Sequence, residues 1–302
     1  MPTVPLLAAP LAEGDGTRPV RAPGGYECCM LCGHDAASGV FYEAAIWEGY
    51  SFDPGYRRLY QRYRAQPTRC RPPVPQECPV ITLSLWHHGR LIQRTWERLA
   101  GDMERAEDGT WTLKARAGEE QILLRCPGPS AARPGAHRVL AGDGEHWATL
   151  HGLGQAELDL RVDGRIVSLS GSCLRQHLLG GQPIGWGRGV WLRGWVVTKS
   201  AGLVFWLTAA GRAGGEGQAS VLDMDSAGAC RAQSPAARIT AWSGGLRPFP
   251  AAIECESVLS LDQPRVLGRS ALRAHLAYRA KFAAGEGMAY CERAFGERSW
   301  WR

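Results

Sequence analysis

Twelve tryptophans in 302 residues are the most telling chemical feature of the chain. Trp86, Trp191, Trp195 and Trp206 fall in the middle of strand-like runs, where alternate side chains face an interior. An aromatic interior with a few polar groups suits a long unsaturated molecule, because ring faces stabilise a polarised or cationic intermediate. The bland alternative is a large aromatic core. A second candidate is Cys29-x-x-Cys32 with Cys28 and His34 beside it, the spacing of half a zinc site. No second half is evident, and Cys28 and Cys29 would point to opposite faces of a strand. The ten cysteines are therefore read as buried thiols, and no metal or other cofactor is expected. No phosphate loop, Gly-x-Ser-x-Gly elbow or dinucleotide fingerprint is present. Gly185-x-Gly187-x-Gly189 lacks the required spacing and reads as a flexible loop over a pocket.

The elements that must position these residues are mostly short strands. Thirty-eight glycines and nineteen prolines punctuate the chain. Residues 1–22 lack any period and read as a flexible N-terminal arm. Strands are expected at Tyr26–Cys32 and Val40–Trp47, the latter interrupted by Glu43, then at Val80–His87, Leu91–Leu99, Thr110–Arg116 and Gln121–Cys126. Pro127–Pro134 reads as a loop. Asp163-Gly164 signals a tight hairpin leading into Arg165–Ser170. The glycine-rich stretch Ser172–Gly189, which holds His177, reads as a loop or bulged strand. Further strands are expected at Val190–Thr198, Leu203–Ala209, Arg238–Trp242, Ile253–Leu261 and Met288–Arg293, with strand and turn over Val221–Cys230 and a helix over Gly268–Phe282. Tyr56, Leu59, Tyr60 and Tyr63 form the stripe of a short amphipathic helix whose other face is arginine. It suits either the rim of a barrel or a lid or membrane-surface contact at a pocket mouth. Such a strand count suits an all-β fold of two barrels or sandwiches with a few short helices.

Composition narrows the function classes. The formal charge of +6 comes almost entirely from scattered arginines, since lysine occurs only at Lys114, Lys199 and Lys281, and this argues against nucleic acid as a partner. No run approaches the roughly 18–20 apolar residues of a membrane span, and the N-terminus lacks a signal-peptide pattern. A cytoplasmic protein is expected, with peripheral membrane contact left open.

Gly25-Tyr26-Glu27-Cys28-Cys29 resembles the Gly-Tyr-Glu-Trp-Trp-Tyr strand of the carotenoid 1,2-hydratase (hydroxyneurosporene synthase) family. Gly49-Tyr50-Ser51-Phe52-Asp53-Pro54-Gly55-Tyr56 is similar to that family's Phe-Ser-Pro-x-Tyr segment. Gly171 to Gly180 sits where the family has Gly-x-x-Tyr-x-Asp-x-Asn-x-Gly, and Trp191–Trp195 and Glu256–Asp262 follow as they do there. The resemblance covers Gly25 to Arg293. It implies two lipocalin-like (calycin) β domains, at 23–182 and 183–302, within a superfamily that also holds tocopherol cyclases and fungal Diels-Alderases. The family's tyrosine and carboxylate fall on Leu174 and Gln176, so its usual proton donor is missing. The resemblance then points to a cyclase or isomerase that folds an apolar polyene, isoprenoid or polyketide natural product into a near-attack conformation. Glu27 and His177 would polarise a substrate oxygen, Gln176 would hydrogen-bond it, and Trp47, Tyr50, Trp86, Trp191, Arg193, Trp195 and Trp206 would shape the chain, with Arg193 pairing with Glu27 or His177. A carotenoid-type hydratase and a non-catalytic binder of a hydrophobic small molecule stay open as alternatives.

Overall fold

The computed structural model describes residues 3–5, 22–88, 90–97, 100–127, 137–140, 146–187, 189–198, 201–209, 216–225, 230–233, 235–245 and 247–295. Most of the expected N-terminal arm and of the Pro127–Pro134 loop lies outside them. The first eleven strands are β1 (Thr3–Pro5), β2 (Tyr26–Asp35), β3 (Val40–Glu48), β4 (Val80–His87), β5 (Arg90–Glu97), β6 (Gly101–Ala106), β7 (Trp111–Ala117), β8 (Glu120–Cys126), β9 (His137–Leu140), β10 (His146–Val162) and β11 (Arg165–Gly180). They form one antiparallel sheet in the order β1-β6-β7-β8-β10-β11-β2-β3-β4-β5, with β9 beside β10. This sheet curls into a half-barrel. Arg94 of the end strand β5 ties it back across the curl, pairing with Glu120 of β8 and with Asp163 in the β10–β11 turn.

The remaining strands are β12 (Val190–Val197), β13 (Ala201–Ala209), β14 (Glu216–Asp225), β15 (Cys230–Gln233), β16 (Ala236–Trp242), β17 (Pro250–Cys255), β18 (Leu259–Arg269), β19 (Arg273–Phe282) and β20 (Gly285–Ala294). Pairing of β13 with β14 closes eight of them into a barrel, with β15 off its side. The architecture is thus two lipocalin-like β units, and the described residues hold a single α-helix, α1 (Pro54–Ala65). That helix starts where Asp53 caps the Tyr56 amide and Pro54 supplies its first turn.

Strand alternation sorts the side chains into three cores. Leu31, Tyr42, Leu83, Trp111 and Leu158 fill the half-barrel. Leu192, Phe205, Ile239, Leu276 and Tyr278 fill the closed barrel. The third core lies between them, where the outer face of β2–β5 and β11 meets the outer face of β12, β13, β19 and β20. Strands buried on both faces explain why β12 and β13 read as continuous apolar runs.

Three expectations need correction. Gly268–Phe282 is not a helix: Ala274, Leu276, Tyr278 and Ala280 alternate into the barrel core, while Arg273, His275, Ala277 and Arg279 face the other way. Its alanines favour a helix locally, but pairing with both β18 and β20 overrides that preference. Ile253–Leu261 is two strands joined by a turn in which Glu256 and Ser257 take positive φ. The stretch from Ser172 runs as regular strand to Gly180, and among the described residues only 181–187 and 189 lie outside strand. Gly171 is needed there because a Cβ would lie 2.1 Å from the His34 carbonyl oxygen on β2. In α1, Tyr56 and Tyr60 are buried as the stripe requires, but Leu59 is 49% exposed and Arg57 is buried, donating to the carbonyls of Ser51 and Ile184.

Candidate functional site between the half-barrel and the barrel

Along β2 the even-numbered residues Tyr26, Cys28, Met30 and Cys32 face the inter-sheet core, and the odd-numbered ones face the half-barrel interior. The same alternation on β11 turns Leu174, Gln176 and Leu178 toward the inter-sheet core. Glu27 and His177 therefore sit on the opposite face from Gln176. Their side chains do meet: His177 Nε2 lies 2.7 Å from Glu27 Oε1, both groups being buried. A ligand held in the inter-sheet core meets Gln176, with the Glu27–His177 pair behind the sheet.

The sequence-derived aromatic set converges on the inter-sheet core. Trp47 of β3, Trp86 of β4, Trp191 and Trp195 of β12 and Trp206 of β13 are each no more than 2% exposed, and Tyr50 packs on Trp47 at 5.5 Å between ring centroids. Trp86 from the half-barrel lies edge-on to Trp195 from the barrel at 5.5 Å, so the two sheets meet through indoles. Trp47 Nε1 donates to Thr82 Oγ1 at 3.0 Å. By contrast, the indole nitrogens of Trp86, Trp191 and Trp195, and Oε1 of Gln176, have no hydrogen-bond partner among the described residues. Gln176 Nε2 reaches only the Cys32 sulfur at 3.3 Å. A buried polar atom left unpaired costs about 1–3 kcal/mol, so four in one layer is a substantial debt that a bound molecule or water would relieve.

Arg193, at the centre of this layer, does not pair with Glu27 or His177. It bonds Glu43 Oε2 of β3 at 2.6 Å and Glu292 Oε2 of β20 at 3.3 Å, and stands over the Trp195 ring at 5.6 Å. Arg273 of β19 holds the other oxygen of Glu292 at 2.7 Å and lies over Phe52. All four charged groups are buried. Burial pushes the Glu43 carboxyl up, with Arg193 opposing and Glu292 adding to the rise. Burial acts on Glu292 in the same sense, but Arg273 and Arg193 outweigh it and hold that carboxylate low. The difference follows from the geometry, because Glu292 has two guanidiniums and Glu43 shares one. His275 of β19 is pushed down to about 3 by burial and by Arg273. Gln93 Nε2 lies 2.8 Å from its Nε2, so the neutral ring accepts there, and its Nδ1 has no partner among the described residues.

Glu43, Glu292, Arg273 and His275 were not among the sequence candidates. In the sequence Glu43 shows only as an interruption of an apolar run, and the other charged residues carry no local signal, because it is the packing of β19 and β20 on the half-barrel that buries them. The same face of those strands runs outward past Tyr290 to a surface groove of about 450 Å³ lined by Gln263, Arg265, Arg279, Glu286, Gly287 and Met288. The Cys29-x-x-Cys32 spacing splits in the structure, with Cys32 in the inter-sheet core, Cys29 in the half-barrel and His34 stacked on Phe41 at 4.0 Å. No cluster of three or more metal-ligating side chains occurs among the described residues.

A half-barrel and a closed barrel sharing a buried aromatic layer define a two-lipocalin-like β protein. Solved structures share this fold along nearly the whole chain. A Nitrosomonas europaea protein provisionally named AttH superposes with a TM-score of 0.58 at 12% identity, over 97% of this chain and 99% of that one. CghA, solved with Sch210972, gives 0.57 at 9% identity over 90% and 88%. Kievitone hydratase from Nectria haematococca gives 0.50 at 11% identity over 97% and 96%. No protein-family model matches the chain, and no curated protein matches it significantly. No helix among the described residues is long and apolar enough to cross a membrane.

Proposed function

We propose that the protein binds an apolar, oxygen-bearing small molecule in the aromatic layer between its two units and catalyses its cyclisation or isomerisation. One observation carries this reading: three buried indole N–H donors and one amide oxygen that have no partner among the described residues lie in a single layer of ring faces. The donors suit a carbonyl or ether oxygen of the ligand, and Gln176 Oε1 suits a hydroxyl. The tryptophan faces hold an unsaturated chain folded, which lowers the entropic part of the barrier, and spread any positive charge that develops. The Glu27–His177 pair, on the far face of β2 and β11, does not face this ligand.

A hydratase reading is favoured by one specific feature, the buried Glu43 carboxyl, which replaces the proton donor missing from β11. The two solved neighbours with small-molecule names, CghA with Sch210972 and kievitone hydratase, are consistent with either chemistry. Membership of the carotenoid 1,2-hydratase family is one form of this second reading. The test is titration of tryptophan fluorescence with linear isoprenoids, carotenoids and polyene polyketides, followed by mass spectrometry of each mixture. An isomer of unchanged mass supports cyclisation or isomerisation, and a gain of one water supports hydration. Saturable binding without product reduces the protein to a binder, and no binding at all refutes the site.

A further inference from the structure

We propose that Glu43 is the acid of this site, donating its proton to an oxygen of the bound ligand, and that Arg193 and Glu292 tune it. The proposal rests on the inter-sheet site described above. Glu43 lies on the same face of β3 as Phe41, Ala45 and Trp47, and its cross-strand neighbour on β4 is Ser84, with Trp86 diagonal to it. Arg193 stands between Trp191 and Trp195 on one face of β12. The acid and the unpartnered indole donors of Trp86, Trp191 and Trp195 thus belong to one contiguous patch.

Charge balance gives the proton its direction. The groups facing Glu43 are Arg193 of β12, Arg273 of β19, Glu292 of β20, Cys28 and Cys32 of β2, and Tyr50, with His275 of β19 beside Arg273 and Glu292. Burial raises both thiols and the Tyr50 phenol, and His275 is neutral, so only the two arginines and Glu292 contribute charge. With Glu43 protonated the cluster carries one net positive charge, since Glu292 cancels one arginine only. Once the proton leaves, the Glu43 carboxylate falls opposite Arg193 at 2.6 Å. Arg193 therefore stabilises the conjugate base, and the positive charge passes to the ligand among the ring faces. The O–H bond of Glu43 breaks as the proton goes to a carbonyl oxygen conjugated with the ligand's double bonds. A second double-bond system of the ligand forms a C–C bond to the activated carbon, the enol so produced closes a second C–C bond onto the resulting cation, and the carbonyl oxygen, no longer conjugated, returns its proton to Glu43, so that two C=C π bonds are exchanged for two C–C σ bonds. No atom is gained or lost. The substrate class is accordingly a polyene bearing a conjugated carbonyl, rather than a bare hydrocarbon.

Two measurements on the full chain test this, and they fail separately. In infrared spectra, the C=O stretch of a protonated carboxyl should persist to higher pH than an ordinary carboxylate allows. It should vanish in Glu43→Gln, and in Glu292→Gln, where the neighbouring carboxylate that adds to the rise is gone, it should be lost at lower pH than in the wild type. Absence of that band in the wild type, or its survival in Glu43→Gln, overturns the proposal. In the second arm the probe is all-trans-retinal, a polyene aldehyde whose absorption moves to longer wavelength when its oxygen accepts a proton or a strong hydrogen bond. The wild type should quench tryptophan fluorescence and red-shift the aldehyde, and Glu43→Gln should still quench with a clearly smaller shift, the remainder coming from the indole donors. Equal shifts in both proteins overturn the donor role while leaving the binding site intact. A carboxyl band without retinal binding refutes both the donor role and the ligand site. Glu43→Gln imitates the protonated acid in shape and charge, so a fold kept intact by circular dichroism separates lost donation from lost structure.

Discussion

Glu292→Gln tests the charge assignment of the inter-sheet core without any ligand. The substitution keeps the shape of the side chain and removes its charge. In the wild type Glu292 accepts from Arg273 at 2.7 Å and from Arg193 at 3.3 Å, with 1% of its surface exposed. Arg193 keeps its hydrogen bond to Glu43, but Arg273 has no other ion-pair partner among the described residues. Removing one member of a buried pair leaves the other as an uncompensated charge and costs about 3–5 kcal/mol. A neutral amide recovers part of that as hydrogen bonding, so a loss of about 3 kcal/mol at pH 7 is expected. At about 2–4 °C per kcal/mol for a chain of this size, the melting point should drop by roughly 10 °C. The assay is urea unfolding followed by both tryptophan fluorescence and far-ultraviolet circular dichroism, since coincident transitions are needed before one free energy is quoted. The pH dependence supplies a second check. Because the folded-state pKa of Glu292 is depressed, its stabilisation is present above the ordinary value of 4.5 and is lost as pH falls through the folded value. The variant should therefore differ most from the wild type near neutrality and converge with it in acid. A difference below about 1 kcal/mol at pH 7, or one that grows in acid, would refute the assignment of Glu292 as the ionised member.

Glu43→Gln should behave oppositely. Its raised carboxyl favours folding only when protonated, a contribution complete below 4.5 and lost as pH rises through the folded value, so the variant should match or exceed wild-type stability at neutral pH in the same urea assay. His275, neutral with a value of about 3, binds its proton in the unfolded chain first; stability should fall as pH drops from about 6.5 toward 3, and His275→Gln should flatten that slope. Gly194→Ala places a Cβ 2.3 Å from the Phe205 ring and 2.7 Å from the Cys291 sulfur inside the barrel, and overpacking there should cost about 1–3 kcal/mol by urea unfolding. Trp195→Phe loses no hydrogen bond in the free protein but removes a donor offered to the ligand, so a carbonyl-bearing ligand should bind about fivefold more weakly by fluorescence titration while its hydrocarbon analogue does not.

Local rules carried much of the architecture. The apolar run Val80–His87 became β4 with the same bounds, and Asp163-Gly164 forms the predicted turn with φ of 52° and 70°. Short-range signals of this kind depend on backbone sterics and on side-chain alternation, which act within a few residues. Alternation also identified Trp86, Trp191, Trp195 and Trp206 as interior residues, because a strand's period assigns each side chain to one of two faces. What alternation cannot say is what stands opposite each face. Gln176 and His177 are adjacent in sequence yet look into different cores, and Glu43 interrupts an apolar run only because its partner Arg193 lies 150 residues away. The alanine-rich stretch at Arg273–Phe282 carries a helical preference that pairing with two neighbouring strands outweighs. Composition and period determined an all-β chain with an aromatic interior. The packing of one unit's outer face on the other's determined which charges are buried together, because ion pairs between distant strands exist only once both sheets are in place.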